Sequence, residues 1–152
     1  MQNNKVYSDK QEKSISKFLG WKQVSGSGAR PLHPGDIVSE YWLGECKTHT
    51  SRCELWVFHF DVWAKICEEA QSQFKHPVLF VDNGTQTIEN TLCLVDITQS
   101  LGNQNLLKDI PDYSSKSSLR VNEIVNMIIQ YKSQYLAVMP LQAFKVYSEI
   151  GE

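Results

Sequence analysis

The apolar positions of this chain change period several times, and each change marks an element. Ile15, Phe18 and Leu19 recur at helical spacing and predict a helix over 10–19. Asp9 stands where a cap would, Glu12 follows in capping-box position, and Gly20 stops the helix. After a Gly/Ser loop, Ser25 to Arg30, the run Asp36–Trp42 reads as a strand and Leu43–Lys47 as its hairpin partner. Leu55–Phe60 is a further strand. The helical set Val62, Trp63, Ile66, Cys67 and Ala70 then predicts a helix over 61–74. His76-Pro77 breaks it, since the residue before a proline avoids the helical region. Val78–Val81 is a short apolar run of the kind buried on both faces, and Thr91–Asp96 is another strand. Residues 98–118 are polar and serine-rich, which predicts a mobile surface excursion. Val121–Tyr131 reads as a helix, Tyr135–Met139 as the last strand, and Pro140 as the opening of a final helix reaching Tyr147. Strands separated by helices predict a single α/β (mixed α+β) domain over 1–152, a central mixed sheet flanked by helices.

Composition narrows the classes. With 41% hydrophobic and 21% charged residues among 152, the chain is an ordinary globular domain large enough for one core. No apolar run approaches the length of a membrane span. The first ten residues lack the apolar centre of a signal peptide, so a cytoplasmic location is expected. Cys46, Cys53, Cys67 and Cys93 form no Cys-x-x-Cys pair, which argues for free thiols rather than a zinc site. The net charge of −2 disfavours a generic nucleic-acid coat, although local patches outweigh the total. The Gly/Ser loop lacks the Gly-Lys-Ser of a phosphate-binding loop, so no nucleotide cofactor is expected.

Candidate chemistry concentrates between Asp36 and Lys47. Asp36 is followed by eight residues and then Glu45-Cys46-Lys47. On a strand, Glu45 and Lys47 face the same way, and a hairpin would bring Asp36 beside them. Two carboxylates and an amine suit a hard cation and an activated water. A backbone carbonyl near Cys46 would add a ligand. Lys47 would orient or deprotonate the water, or neutralise a phosphate. The bare string is also what a solvated, charged hairpin looks like.

The order of these segments resembles the PD-(D/E)XK nucleases, in particular phage-encoded, Holliday-junction-resolvase-like members. The matching features are the helix bearing Glu12, the loop Ser25-Gly-Ser-Gly28, Gly35-Asp36 and Glu45-Cys-Lys-Thr48. Phe60–Ala70, His76–Val81 and Tyr135–Phe144 match the helix, strand and closing strand–helix that follow. The resemblance skips about 86–115. It implies a restriction-endonuclease-like core and a Mg2+-dependent endonuclease, with Mn2+ able to substitute. The substrate it implies is branched DNA in phage recombination, cut by a homodimer in the host cytoplasm. Alternatives are a nuclease for linear or nicked DNA and a non-catalytic DNA-binding protein of this fold. Asp36, Glu45 and the Cys46 carbonyl would hold metal, Lys47 would be the catalytic lysine, and Glu12 the upstream acid. Glu12 is equally read as a capping glutamate. Ser27, Gly28, Arg30, Thr48 and Lys65 would contact DNA. One departure stands out: the family has proline directly before the aspartate, whereas here Gly35 precedes Asp36 and Pro34 lies one earlier.

Overall fold

The computed structural model describes residues 4–24, 35–101 and 109–150. Helix α1 (Asn4–Leu19) precedes strands β1 (Lys22–Gln23), β2 (Ile37–Val38) and β3 (Trp42–Lys47). Strand β4 (Trp56–His59) runs directly into α2 (Phe60–Ser72), and β5 (His76–Asp82) and β6 (Thr91–Asp96) follow. Next come β7 (Ser118–Val121), β8 (Met127–Tyr131), β9 (Gln134–Pro140) and α3 (Leu141–Glu149). Seven strands form one mixed sheet in the order β1-β2-β3-β5-β6-β9-β8, while β4 and β7 pair in a small second sheet. In the large sheet β3 and β5 are parallel and the other neighbours antiparallel. A parallel pair needs a crossover, and β4 with α2 supplies it. A central mixed sheet flanked by helices is the architecture that the patterning predicts.

The alternation along the central strands explains the layering. Leu43, Leu79 and Val81 face α2 and the small sheet, packing with Trp63, Ile66, Phe58 and Leu119. Trp42, Cys46, Val78 and Phe80 face the other way, toward Ile15 of α1 and Phe144 of α3. Both faces of β3 and β5 are therefore covered, as continuous apolar runs require.

Several expectations are corrected. Helix α1 starts five residues before Asp9, so Asp9 lies inside the helix and Glu12 is no capping-box glutamate. Gly20 does end it, at φ +75, with Trp21 N–H reaching back to Ser16 O at 2.9 Å. The expected strand 36–42 is interrupted: Ser39–Tyr41 turn the hairpin, Ser39 N–H donates to Trp42 O at 3.0 Å, and Trp42 opens β3. The expected helix 121–131 is instead the end of β7, a connection and β8. Val121, Ile124, Val125, Ile128 and Ile129 fit a helical period, but Val125, Met127, Ile129 and Tyr131 also fit a period of two. Pairing with β9 across a two-residue turn, in which Lys132 has φ +54, selects the strand. Of the excursion at 98–118, residues 102–108 lie outside the described residues. Its described parts include a short helical turn at Thr98–Ser100 and a bridge from Asp112 to Gln130 on β8.

Candidate active site

The β2–β3 ladder is short, and the site forms where it ends. Ile37 pairs with Gly44, and Asp36 stands just beyond. Its N–H donates to Gly44 O at 2.8 Å, and its Oδ2 accepts from Cys46 N–H at 2.8 Å. A side chain has thus taken the place of a ladder bond. This puts the carboxylate at the rim of the sheet, between the two faces.

The position lets Asp36 meet acids from both sides. Glu45, on β3, shares the α2-facing side with Leu43, and Lys47 Nζ lies 3.3 Å from Glu45 Oε1. Glu12 comes from α1 on the opposite side, where it is buried beside Gln11, Ile15 and Ser16. Asp36 is hydrogen-bonded to both Glu12 and Glu45. Burial first, then the charges of Asp36 and Asp9, push the Glu12 carboxyl up to about 8. Burial and Asp36 push Glu45 up to about 7, against the pull of Lys47. Three carboxyl groups thus crowd together with one ammonium beside them, and burial with the crowding favours the protonated forms of Glu12 and Glu45.

Gly35 shows why the residue before Asp36 is glycine. Its φ is +77, and a Cβ there would come 2.7 Å from Leu43 Cδ1. Its N–H donates to Glu69 Oε2 on α2 at 3.0 Å. Proline fixes φ near −65° and has no N–H, so it could take neither role. Glu69 ties α2 to the loop that carries Asp36.

The structure therefore brings Glu12, Asp36, Glu45 and Lys47 together. In an extended strand the N–H and C=O of one residue share an edge, so the Cys46 carbonyl lies along the edge capped by Asp36. The Cys46 thiol itself is buried against the core and pushed up by burial. Thr48 does not offer its hydroxyl outward: it donates to Asp82 Oδ1 at 2.5 Å. Lys65 is exposed and sits 3.8 Å from Glu69, one link away from Gly35. Ser27, Gly28 and Arg30 lie outside the described residues. All four cysteines are free thiols. Sequence reading missed Gln11, Glu69, Asp82 and Gln86. Their roles depend on contacts more than thirty residues away, which no local pattern signals.

Among the described residues, no group of three or more His, Cys, Asp or Glu side chains is placed so that it could hold a metal ion. The acids are held instead by hydrogen bonds through Asp36. The donor chemistry nonetheless suits a hard cation: the groups are oxygens, and their full deprotonation would give more negative charge than Lys47 balances.

No family model, curated protein or solved structure matches the chain. The class that the fold itself defines is a mixed α/β domain with a seven-stranded central sheet. Among the described residues, no helix is long and apolar enough to cross a membrane.

Proposed function

We propose that the chain is a metal-dependent DNA endonuclease of the PD-(D/E)XK type. The observation that carries this reading is the convergence of Glu12, Asp36 and Glu45 beside Lys47 at the end of the β2–β3 ladder. The order helix, hairpin, crossover helix, parallel strand supports it, being the order on which the sequence resemblance rests.

Asp36 and Glu45 would hold a Mg2+ ion, with the Cys46 carbonyl as a further donor. Bound there, such an ion lowers the pKa of a coordinated water and stabilises charge on the phosphate undergoing attack. The protein's own groups do the rest. Lys47, half exposed, holds Glu45 and offers N–H donors to a water or a phosphate oxygen. Glu12, protonated near neutrality, donates a hydrogen bond to Asp36 and releases its proton when positive charge arrives. Branched DNA is the proposed substrate, and symmetric cutting of a junction calls for a homodimer.

The test is incubation with Mg2+ and a four-way junction beside a matched linear duplex. Preferential cutting of the junction, abolished by Glu45→Ala, is the expected result. Equal cutting of both would leave a nuclease without junction preference. Cutting that persists in Glu45→Ala would overturn the mechanism.

A further inference from the structure

The main chain immediately after Lys47 is held from two directions, and the carboxylate cluster does not explain why. From α1, Gln11 Nε2 donates to Lys47 O at 2.7 Å. From the segment after β5, Asp82 Oδ1 accepts the Thr48 hydroxyl at 2.5 Å. Gln86 Nε2 donates to Thr48 Oγ1 at 2.9 Å and to His49 O at 3.1 Å. Three consecutive residues are thus each fixed by a side chain from elsewhere. Gln11, Asp82 and Gln86 are all buried.

The holding segment is itself fixed. Gly84 N–H donates to Asp82 Oδ1 at 2.8 Å. Gly84 has φ +90, and a Cβ there would lie 2.2 Å from Ser51 O, so the turn is pressed against the chain that follows His49. Cys53 N–H donates to Asn83 O at 2.9 Å, and Gln86 adopts φ +53 to present its amide. A left-handed glutamine and a fully buried aspartate are costly features, and they persist where their surroundings specify them.

We propose that Asp82 and Gln86 are positioning residues for Lys47, holding the end of β3 so that its ammonium stays beside Glu45. The role rests on the nuclease reading, because it gives the clamp a lysine to serve. A strand end without such anchors frays, and displacing a reacting group by about 1 Å can cost on the order of 100-fold in rate. The metal-binding acids have other anchors: Asp36 is held by Cys46 N–H, and Glu45 lies within the β3–β5 ladder opposite Leu79.

The experiment uses the full chain carrying 13C-methylated lysines, with the Lys47 resonance assigned through Lys47→Arg. The probes are that resonance, Mn2+ affinity and the cleavage rate. Gln86→Ala is expected to collapse the Lys47 shift onto the exposed-lysine envelope. Cleavage should slow by about 10–100-fold while Mn2+ affinity stays within about twofold. Asp82→Asn, which keeps the Oδ1 acceptor, is expected to restore what Asp82→Ala loses. An unmoved Lys47 signal in both Gln86→Ala and Asp82→Ala would overturn the proposal. So would loss of Mn2+ binding in step with cleavage. A moved signal in a protein whose parent does not cut DNA would keep the clamp and reject the nuclease reading.

Discussion

The two ends of the β3–β5 pair make a sharp contrast. At the start of the strands, Trp42 and His76 lie side by side, and Trp42 packs edge-on against Phe144 at 5.1 Å and nearly parallel to Trp21 at 6.4 Å. A cavity of about 580 Å3 opens there, walled by Tyr41, Trp42, His76 and Tyr147. At the other end, up to five residues along β3, the same strands carry Glu45, Lys47 and Asp82, with Thr48 just beyond. The first end follows the ordinary logic of a core: rings fill space, and their burial stabilises the sheet. The second gathers acids that repel one another and polar groups that are costly to bury. Such a local conflict inside a consistent fold is the expected signature of a functional site.

Breaking each end should therefore give opposite results. The largest effect is expected from Asp36→Asn, which keeps an acceptor for Cys46 N–H but removes the charge shared by Glu12 and Glu45. Cleavage should fall by about 1,000-fold or more, while the metal-free protein becomes more stable to thermal unfolding. Trp42→Ala should act the other way, costing about 3–5 kcal/mol in chemical denaturation while leaving the Mn2+ affinity of the folded fraction unchanged. Gly35→Pro should cost about 2–4 kcal/mol, since it forbids φ +77 and removes the N–H bonded to Glu69.

The pH dependence sharpens the comparison further. The folded-state pKa of Glu12 is raised from 4.5 to about 8, and that of Glu45 from 4.5 to about 7. Raised carboxyl groups favour the folded state when protonated. Their contribution is complete below about 4.5 and is lost as pH rises through 7 and 8. Relative to a Glu12→Gln, Glu45→Gln variant, the metal-free parent should lose melting temperature between pH 5 and pH 8, and Mg2+ should reduce the loss. The smallest effect is expected from Lys65→Ala, which removes an exposed pair worth about 0.3–0.5 kcal/mol and should leave the melting temperature nearly unmoved.

Which of these features the sequence disclosed depended on the range of the contacts behind them. The central strands were legible because Val78–Val81 and Thr91–Asp96 are apolar on both faces, a pattern no solvent-facing element carries. Helix α2 was legible from Trp63, Ile66 and Ala70 on one stripe. The segment 121–131 was misread because its apolar residues satisfy two periods at once, and only pairing with β9 decides between them. Glu12 could not be separated from a cap by spacing alone, because the decisive fact is that α1 begins at Asn4. Asp36, Glu45 and Lys47 were legible as a group because the hairpin is local. The supporting residues were not. Glu69, Asp82 and Gln86 reach the site from 34 to 38 residues away along the chain.

The central claim is that Asp36 and Glu45 share one cation. Titration of Mn2+ into the full chain, followed by electron paramagnetic resonance, tests it most directly. The account predicts one site per chain that is lost in Asp36→Asn and in Glu45→Gln but retained in Trp42→Ala. A parent protein that binds no Mn2+, or an Asp36→Asn variant that binds it as tightly as the parent, would contradict it.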